Sequence, residues 1–418
     1  MNAFLLALSE AEGTARESIR QLTDDLSALS KYFMKIGILT PSIYMYNRRY
    51  QERIFAPGEL VRHLVQGLVA KGHEVTWFTA PEETTKARVV KGDSKLLDQD
   101  LKIRVFQDIA SELKEKMSLY GTKMYYEMDL LTRAYQLAEQ EHFELMHVFH
   151  SFGYLAHFFA EMTKVPTIFT LHDPLPSGDM LENWLMERFP EARYVSLSLS
   201  QQRGQEAHFI GNVYNGINAE EFAFDPRGGE RFIAVGRMLP VKGFDQAIAA
   251  VKKTGCQLTL ASWITENVEK SDYYRRFIAP DIDGTNLKVE SLLQEKERVA
   301  LYQKARALLF PISWEEPFGL VMVEAMATGT PVIAYNRGSV AEIVRDGVTG
   351  FIVNPDLPNF PDSPDLLIKK RGLEGLVEAI KRIGEIDRAA CRKHVEQNFT
   401  VEKMVEGYEK VYRKIVSS

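Results

Sequence analysis

Cysteine is almost missing from this chain. Two thiols in 418 residues, Cys256 and Cys391, cannot build a disulfide framework or a metal knuckle, so a reducing compartment is expected. Long apolar runs are missing too. None reaches the length of a membrane span. The run Phe4-Leu5-Leu6-Ala7-Leu8 is too short for a signal-peptide core and has no basic segment before it, so a cytoplasmic location is expected. Positive charge is not in excess. Lys and Arg total 51 against 57 Asp and Glu, a net charge of -6, which argues against a general nucleic-acid binder. There is no phosphate loop ending in Gly-Lys-Ser/Thr, no nucleophile elbow and no dinucleotide glycine fingerprint. These gaps disfavour P-loop nucleotide hydrolysis, ester hydrolysis and NAD chemistry.

What is present is an ordinary globular composition, 45% hydrophobic and 26% charged, long enough for two or three domains with their own cores. Residues 1–33 read as an N-terminal helical extension, because Ile19, Leu22, Leu26, Leu29 and Phe33 recur at helical spacing. Docking, assembly and a peripheral membrane contact all stay open for it. From Met34 onward strands and helices alternate. Strands are expected at 35–40, 74–78, 103–106, 145–149, 166–171, 194–199 and 209–213, with a long helix near 108–140. After Asp225-Pro226-Arg227-Gly228-Gly229, the best linker in the chain, a second alternation begins. Its strands are expected at 232–235, 258–261, 287–290, 307–310, 331–335 and 350–353, its helices at 242–253, 269–278 and 294–304, and closing helices at 371–398 and 400–416. Such alternation implies α/β architecture with parallel sheets covered on both faces. Ligands of doubly wound sheets bind beyond the carboxyl ends of the strands, so two facing sheets would enclose a cleft.

The stretch from Ile312 to Ala327 organises the second half. A buried strand ends at Pro311. Pro317 and Gly319 are expected to bracket the first turn of a helix that Gly329 stops. The N–H groups and positive dipole end of such a helix favour phosphate, and Gly319 lets a ligand approach the backbone. Glu316 lies just before the helix and Glu324 lies on it. Carboxylates accept hydrogen bonds from paired sugar hydroxyls. A phosphate-binding helix end between two carboxylates suggests a sugar nucleotide.

Other residues join this stretch. Arg237 follows a strand and Lys242 precedes a helix, so together they can neutralise a departing diphosphate. His172 ends a strand of the first half and should face the cleft from the opposite wall. His142, His147, His150 and His157 lie close in sequence but lack metal-ligand spacing, so most read as packing, with His150 kept as a cleft-edge candidate. Asp281 and Asp283 resemble a metal pair, yet Gly284 follows them, and a solvated turn is expected.

The run Glu316-Pro317-Phe318-Gly319 through Glu324, with seven residues between the two glutamates, resembles the signature of retaining GT-B glycosyltransferases of the family-four group. The segments 325–334, 338–344 and 346–351 are similar to that group, as are Gly236-Arg237 with Lys242-Gly243, Gly72-His73-Glu74-Val75 and Asn215-Gly216-Ile217-Asn218. The resemblance covers nearly all of 34–418. It implies a GT-B fold: two Rossmann-like domains, 34–222 completed by 400–418 and 228–399, with the last helix crossing back to the first. It also implies roles. Glu316 would contact donor-sugar hydroxyls and Glu324 the ribose. The N–H groups of Phe318, Gly319 and Leu320, with Arg237 and Lys242, would hold the diphosphate. His172 would sit near the sugar and the acceptor.

The implied reaction moves a hexose, with UDP-glucose as the first-choice donor, to an acceptor hydroxyl without cofactor or metal. Other GT-B activities, phosphorylase or sugar-nucleotide epimerase, are the alternative, followed by a non-catalytic sugar-nucleotide-binding subunit. One departure stands out. Pro57-Gly58-Glu59 occupies the place of a glycine-rich loop, and proline donates no N–H. Gly58 therefore remains a first-domain candidate. The loop with Tyr44, Tyr46, Asn47, Arg48, Arg49 and Arg53 reads equally well as an acceptor contact or a solvated loop.

Overall fold

The computed structural model describes residues 33–40, 56–79, 85–97, 111–149, 154–175, 180–204, 208–291, 295–361 and 363–417. Their strands form two sheets. The first contains β1 (Lys35–Leu39), β2 (Glu74–Phe78), β3 (Arg88–Val90), β4 (Leu145–Phe149), β5 (Thr167–Thr170), β6 (Arg193–Ser196) and β7 (Phe209–Asn212), in the order β3-β2-β1-β4-β5-β6-β7. The second contains β8 (Arg231–Val235), β9 (Leu258–Ser262), β10 (Leu287–Ser291), β11 (Ala305–Phe310), β12 (Val332–Tyr335) and β13 (Gly350–Val353), in the order β10-β9-β8-β11-β12-β13. All pairings within them are parallel. In each sheet the chain builds one way from its first strand, then returns and builds the other way. The switch points are β1/β4 and β8/β11, where doubly wound sheets leave a crevice.

Parallel neighbours cannot be joined by tight hairpins, so helices carry the crossovers. Those described are α1 (Ala56–Ala70), α2 (Ser111–Gln140), α3 (Tyr154–Glu161), α4 (Leu181–Arg188), α5 (Phe244–Thr254), α6 (Glu266–Lys270), α7 (Glu295–Gln303), α8 (Leu320–Ala327), α9 (Val340–Ile343), α10 (Gly372–Arg382), α11 (Arg388–Asn398) and α12 (Val401–Val416). Helices on both faces explain why β4, β9 and β13 are buried at every residue.

The last helix returns to the first sheet. Met404, Val405, Tyr408 and Tyr412 of α12 share one core with Ile36 and Ile38 of β1 and Leu64 and Val65 of α1. Glu409 anchors its solvent side through Lys71 at 2.6 Å and His73 at 2.9 Å. The chain re-enters beside residue 217: the Ile217 amide donates to the Phe399 carbonyl, and the Val401 amide donates to that of Ile217. Gly216 is required there, because a Cβ would lie 2.1 Å from the Thr400 oxygen. The GT-B arrangement expected from the sequence is thus the observed one.

Three local expectations change, and one strand is added. The 269–278 helix is instead α6 followed by a π-turn at Tyr274–Ile278. The 371–398 helix is two, α10 and α11, separated by a 3-10 turn and the capping carboxylate of Asp387. The helix after the organising loop starts at Leu320, not at Pro317. Gly319 caps it in the left-handed conformation, φ 82°, which stops helical backbone from extending upstream. The short edge strand β3 was unforeseen. The expected strand at 103–106 and the extension 1–32 lie outside the described residues.

Candidate active site

Between the carboxyl ends of the two sheets lies a cavity of about 790 Å³. His172 lines it from the first-sheet side. From the second come Arg237, Lys242, Glu316, Phe318, Gly319, Leu320 and Glu324. Residues far apart in sequence are therefore gathered on two facing walls. Gly58 is buried in the first turn of α1 and does not line the cavity, although Leu60 on the same helix does. His150, Arg48 and Arg49, with Tyr44, Tyr46, Asn47 and Arg53, lie outside the described residues.

Local backbone geometry builds the second wall. Lys242 closes a 3-10 turn, Pro240–Lys242, and Gly243 follows in the left-handed region, φ 69°. A Cβ on Gly243 would fall 2.0 Å from the Pro311 carbonyl oxygen, so only glycine allows this turn to press against the end of β11. That approach brings Lys242 Nζ to 2.7 Å from Glu316 Oε2. Trp314 Nε1 donates to the same oxygen at 2.9 Å, and the Lys242 ammonium lies 4.2 Å from the centre of the Trp314 ring. Both bonds land on Oε2, so Oε1 can still accept a hydroxyl from the cleft. Arg237 is exposed on the same wall, and no partner for its guanidinium occurs among the described residues. In the first turn of α8 the Met322 amide donates to the Gly319 carbonyl at 3.0 Å, while the amides ahead of it lie beyond the reach of intrahelical acceptors, which makes this end electropositive.

Glu324 sits one turn further along α8, buried. Tyr302 Oη donates to it at 2.8 Å, and Arg298 Nε lies 3.3 Å away. Burial first, and then the Glu324 charge, push the Tyr302 hydroxyl well above its usual pKa, so it remains a donor. Neither Arg298 nor Tyr302 was singled out from the sequence. The available signal was an arginine and a tyrosine at i and i+4 on one stripe of the expected 294–304 helix.

Of the histidine-rich stretch, His147 and His157 resolve as packing, and His142 sits in a turn with φ 56°. His147 bonds the hydroxyls of Tyr412 at 2.7 Å and Thr170 at 2.8 Å. His157 stacks on Phe169 with ring centres 3.9 Å apart. Asp283 caps a turn by accepting from the amides of Thr285, Asn286 and Leu287, and Asp281 pairs with Lys252.

Comparison with known proteins is consistent with this architecture. A model described as "Glycosyltransferase Family 4" matches residues 58–220, and one described as "Glycosyl transferases group 1" matches 219–359. An uncharacterized glycosyltransferase of Methanocaldococcus jannaschii is 27% identical over 312 residues, 70% of this chain and 83% of that protein. Among solved structures, sucrose-phosphate synthase from Thermosynechococcus elongatus superposes with a TM-score of 0.65 at 18% identity, covering 92% of this chain and 99% of that one. An Anabaena protein solved in complex with UDP-glucose gives 0.60 at 17% identity, covering 92% and 100%. Identities this low show the fold alone. The two family models, however, run consecutively from 58 to 359 and include both walls of the cavity. The chain belongs to the family-four group of glycosyltransferases with the GT-B fold.

Proposed function

We propose that this glycosyltransferase moves a hexose from a nucleoside-diphosphate sugar, UDP-glucose as first choice, to an acceptor hydroxyl with retention, giving an α-linkage, and needs no metal ion at the diphosphate. One observation carries the reading: the Lys242–Glu316 pair at the N-terminal end of α8, across the cavity from His172. A leaving diphosphate needs fixed positive charge where its own charge grows. Lys242, Arg237 and the α8 terminus are placed to supply it, and they require no reorganisation when the glycosidic bond breaks. The Glu316 oxygen left over by Lys242 and Trp314 suits a sugar hydroxyl. Glu324, held by Tyr302 and Arg298, suits the two hydroxyls of a ribose. The Anabaena relative, solved with UDP-glucose, supports a nucleotide sugar as donor. Retention rests on the Glu316-to-Glu324 resemblance.

A thermal-shift panel with UDP, GDP, ADP and their sugar conjugates, with and without EDTA, tests donor and metal together. At a hundred times its Kd a ligand adds about 2.7 kcal/mol to native stability. A shift with one base that EDTA leaves unchanged supports the proposal. Loss of the shift in EDTA would refute metal independence, and no shift with any nucleotide would refute the donor class. Proton NMR of the first product made from UDP-glucose decides retention: a β-anomer refutes it.

A further inference from the structure

We propose that Glu342 is a positioning residue, a strut across the cleft that sets the span between Glu316 on one wall and His172 on the other. The inference rests on the transferase reading and adds a residue to it. Glu342 belongs to α9, whose flanking Val340 and Ile343 are fully buried in the second core. Its carboxylate crosses to the first domain. One oxygen accepts from the Leu199 amide at 2.7 Å, the other from the Ser200 amide at 2.8 Å, and the Tyr214 hydroxyl donates at 2.9 Å. A carboxylate held by backbone N–H groups makes strong, directional bonds.

Each end of the strut leads to a site residue. On the first-domain side, Gln201 follows Ser200 in the same 3-10 turn and is buried. Its amide donates to the carbonyls of Leu171 at 3.0 Å and Asp173 at 2.9 Å, the two residues that bracket His172. On the second-domain side, Ser339 precedes α9. Its amide donates to the Glu316 carbonyl at 2.9 Å and its hydroxyl to that of Phe318 at 2.7 Å. Gly338, φ 55°, lies so close that a Cβ would be 2.3 Å from the Glu316 nitrogen. A continuous set of bonds therefore runs from the donor loop, through Ser339 and Glu342, to the turn that holds His172. Transfer depends on the span between these walls, and a misplacement of about 1 Å costs about a hundredfold in rate. Nucleotide contacts, by contrast, belong mainly to the second wall.

The test compares Glu342→Ala, Glu342→Gln and wild type by three readouts: UDP release from UDP-glucose, UDP affinity by calorimetry, and small-angle X-ray scattering of the unliganded protein. Expected for Glu342→Ala is a kcat lowered about ten- to hundredfold, a UDP Kd close to wild type, and a larger radius of gyration. Glutamine keeps one acceptor oxygen and should fall between. Unchanged kcat, or a parallel fall in UDP affinity and Tm, would overturn the strut. Should wild type neither bind UDP nor release it from UDP-glucose, the donor reading fails. The scattering comparison still decides the strut, and identical profiles refute it.

Discussion

Replacing Lys242 by methionine separates the charge at the proposed leaving-group site from the packing around it. Methionine keeps an unbranched stem against Trp314 but removes the ammonium. Two effects follow. The first is chemical. One preorganised charge of this kind is worth roughly 2.7–4 kcal/mol in the transition state, so kcat should fall by about 10²–10³. The second is structural. The Lys242 and Glu316 side chains are only 13% and 12% exposed, and their 2.7 Å bond joins the Pro240–Lys242 turn to the loop that precedes α8. Loss of the ammonium leaves Glu316 with Trp314 as its partner on Oε2. An under-satisfied carboxylate costs about 1–3 kcal/mol, or roughly 1–3 °C in Tm for a protein of this size. Pairing the change with Glu316→Gln removes the stranded charge. The double variant should recover part of the Tm but none of the turnover, because the two residues are coupled in the fold. The assay is UDP release from UDP-glucose beside a melting curve. Turnover of Lys242→Met within threefold of wild type, on the scale of about 1 kcal/mol or less, would refute the leaving-group role.

Three further expectations follow from the same structure. Tyr302→Phe removes a 2.8 Å bond to Glu324 while Arg298 remains, so UDP should bind about fivefold more weakly, the equivalent of about 1 kcal/mol; unchanged affinity by calorimetry would exclude Glu324 from the nucleoside contact. Gly338→Ala forces a Cβ to 2.3 Å from the Glu316 nitrogen in a left-handed backbone. It should lose more than about 1–2 kcal/mol of stability along with its turnover, and wild-type values for both would contradict the packing. Stability should also depend on pH through His147. Burial first, and the nearby His172 second, hold its pKa well below the ordinary 6.5. Between that ordinary value and the lowered one the unfolded chain binds the extra proton, so stability is complete above pH 6.5 and declines as pH falls below it. His394 is lowered too, chiefly by burial, and acts in the same direction. His147→Gln should flatten the acid side of a Tm-against-pH curve; an unchanged slope would show that His147 does not contribute.

Much of the fold was legible because it is local. Apolar runs between turn residues marked the strands, and Gly72 and Gly329 stopped helices where left-handed backbone was needed. The boundary errors have local causes as well. Gly319 prevents the helix from starting at Pro317, and the Asp387 cap divides a stretch whose periodicity reads as one helix. The candidate site was legible only as a set of types: carboxylates, cations and a helix end, each interpretable from its neighbours.

By itself the sequence determined the alternation of strands and helices, the glycine-dependent turns, and which chemical groups lie beyond strand ends, since chain connectivity and backbone sterics act over a few residues. Tertiary packing decided the rest. Lys242 and Glu316 are 74 residues apart, and Glu342 and Ser200 are 142 apart. The pairing of β8 with β11 inside one sheet brings the first pair together, and the docking of one sheet against the other, with α12 returning to the first core, brings the second. Spacing along a chain carries no such distance, because contact between remote residues is set by the packing of whole elements, not by the residues between them.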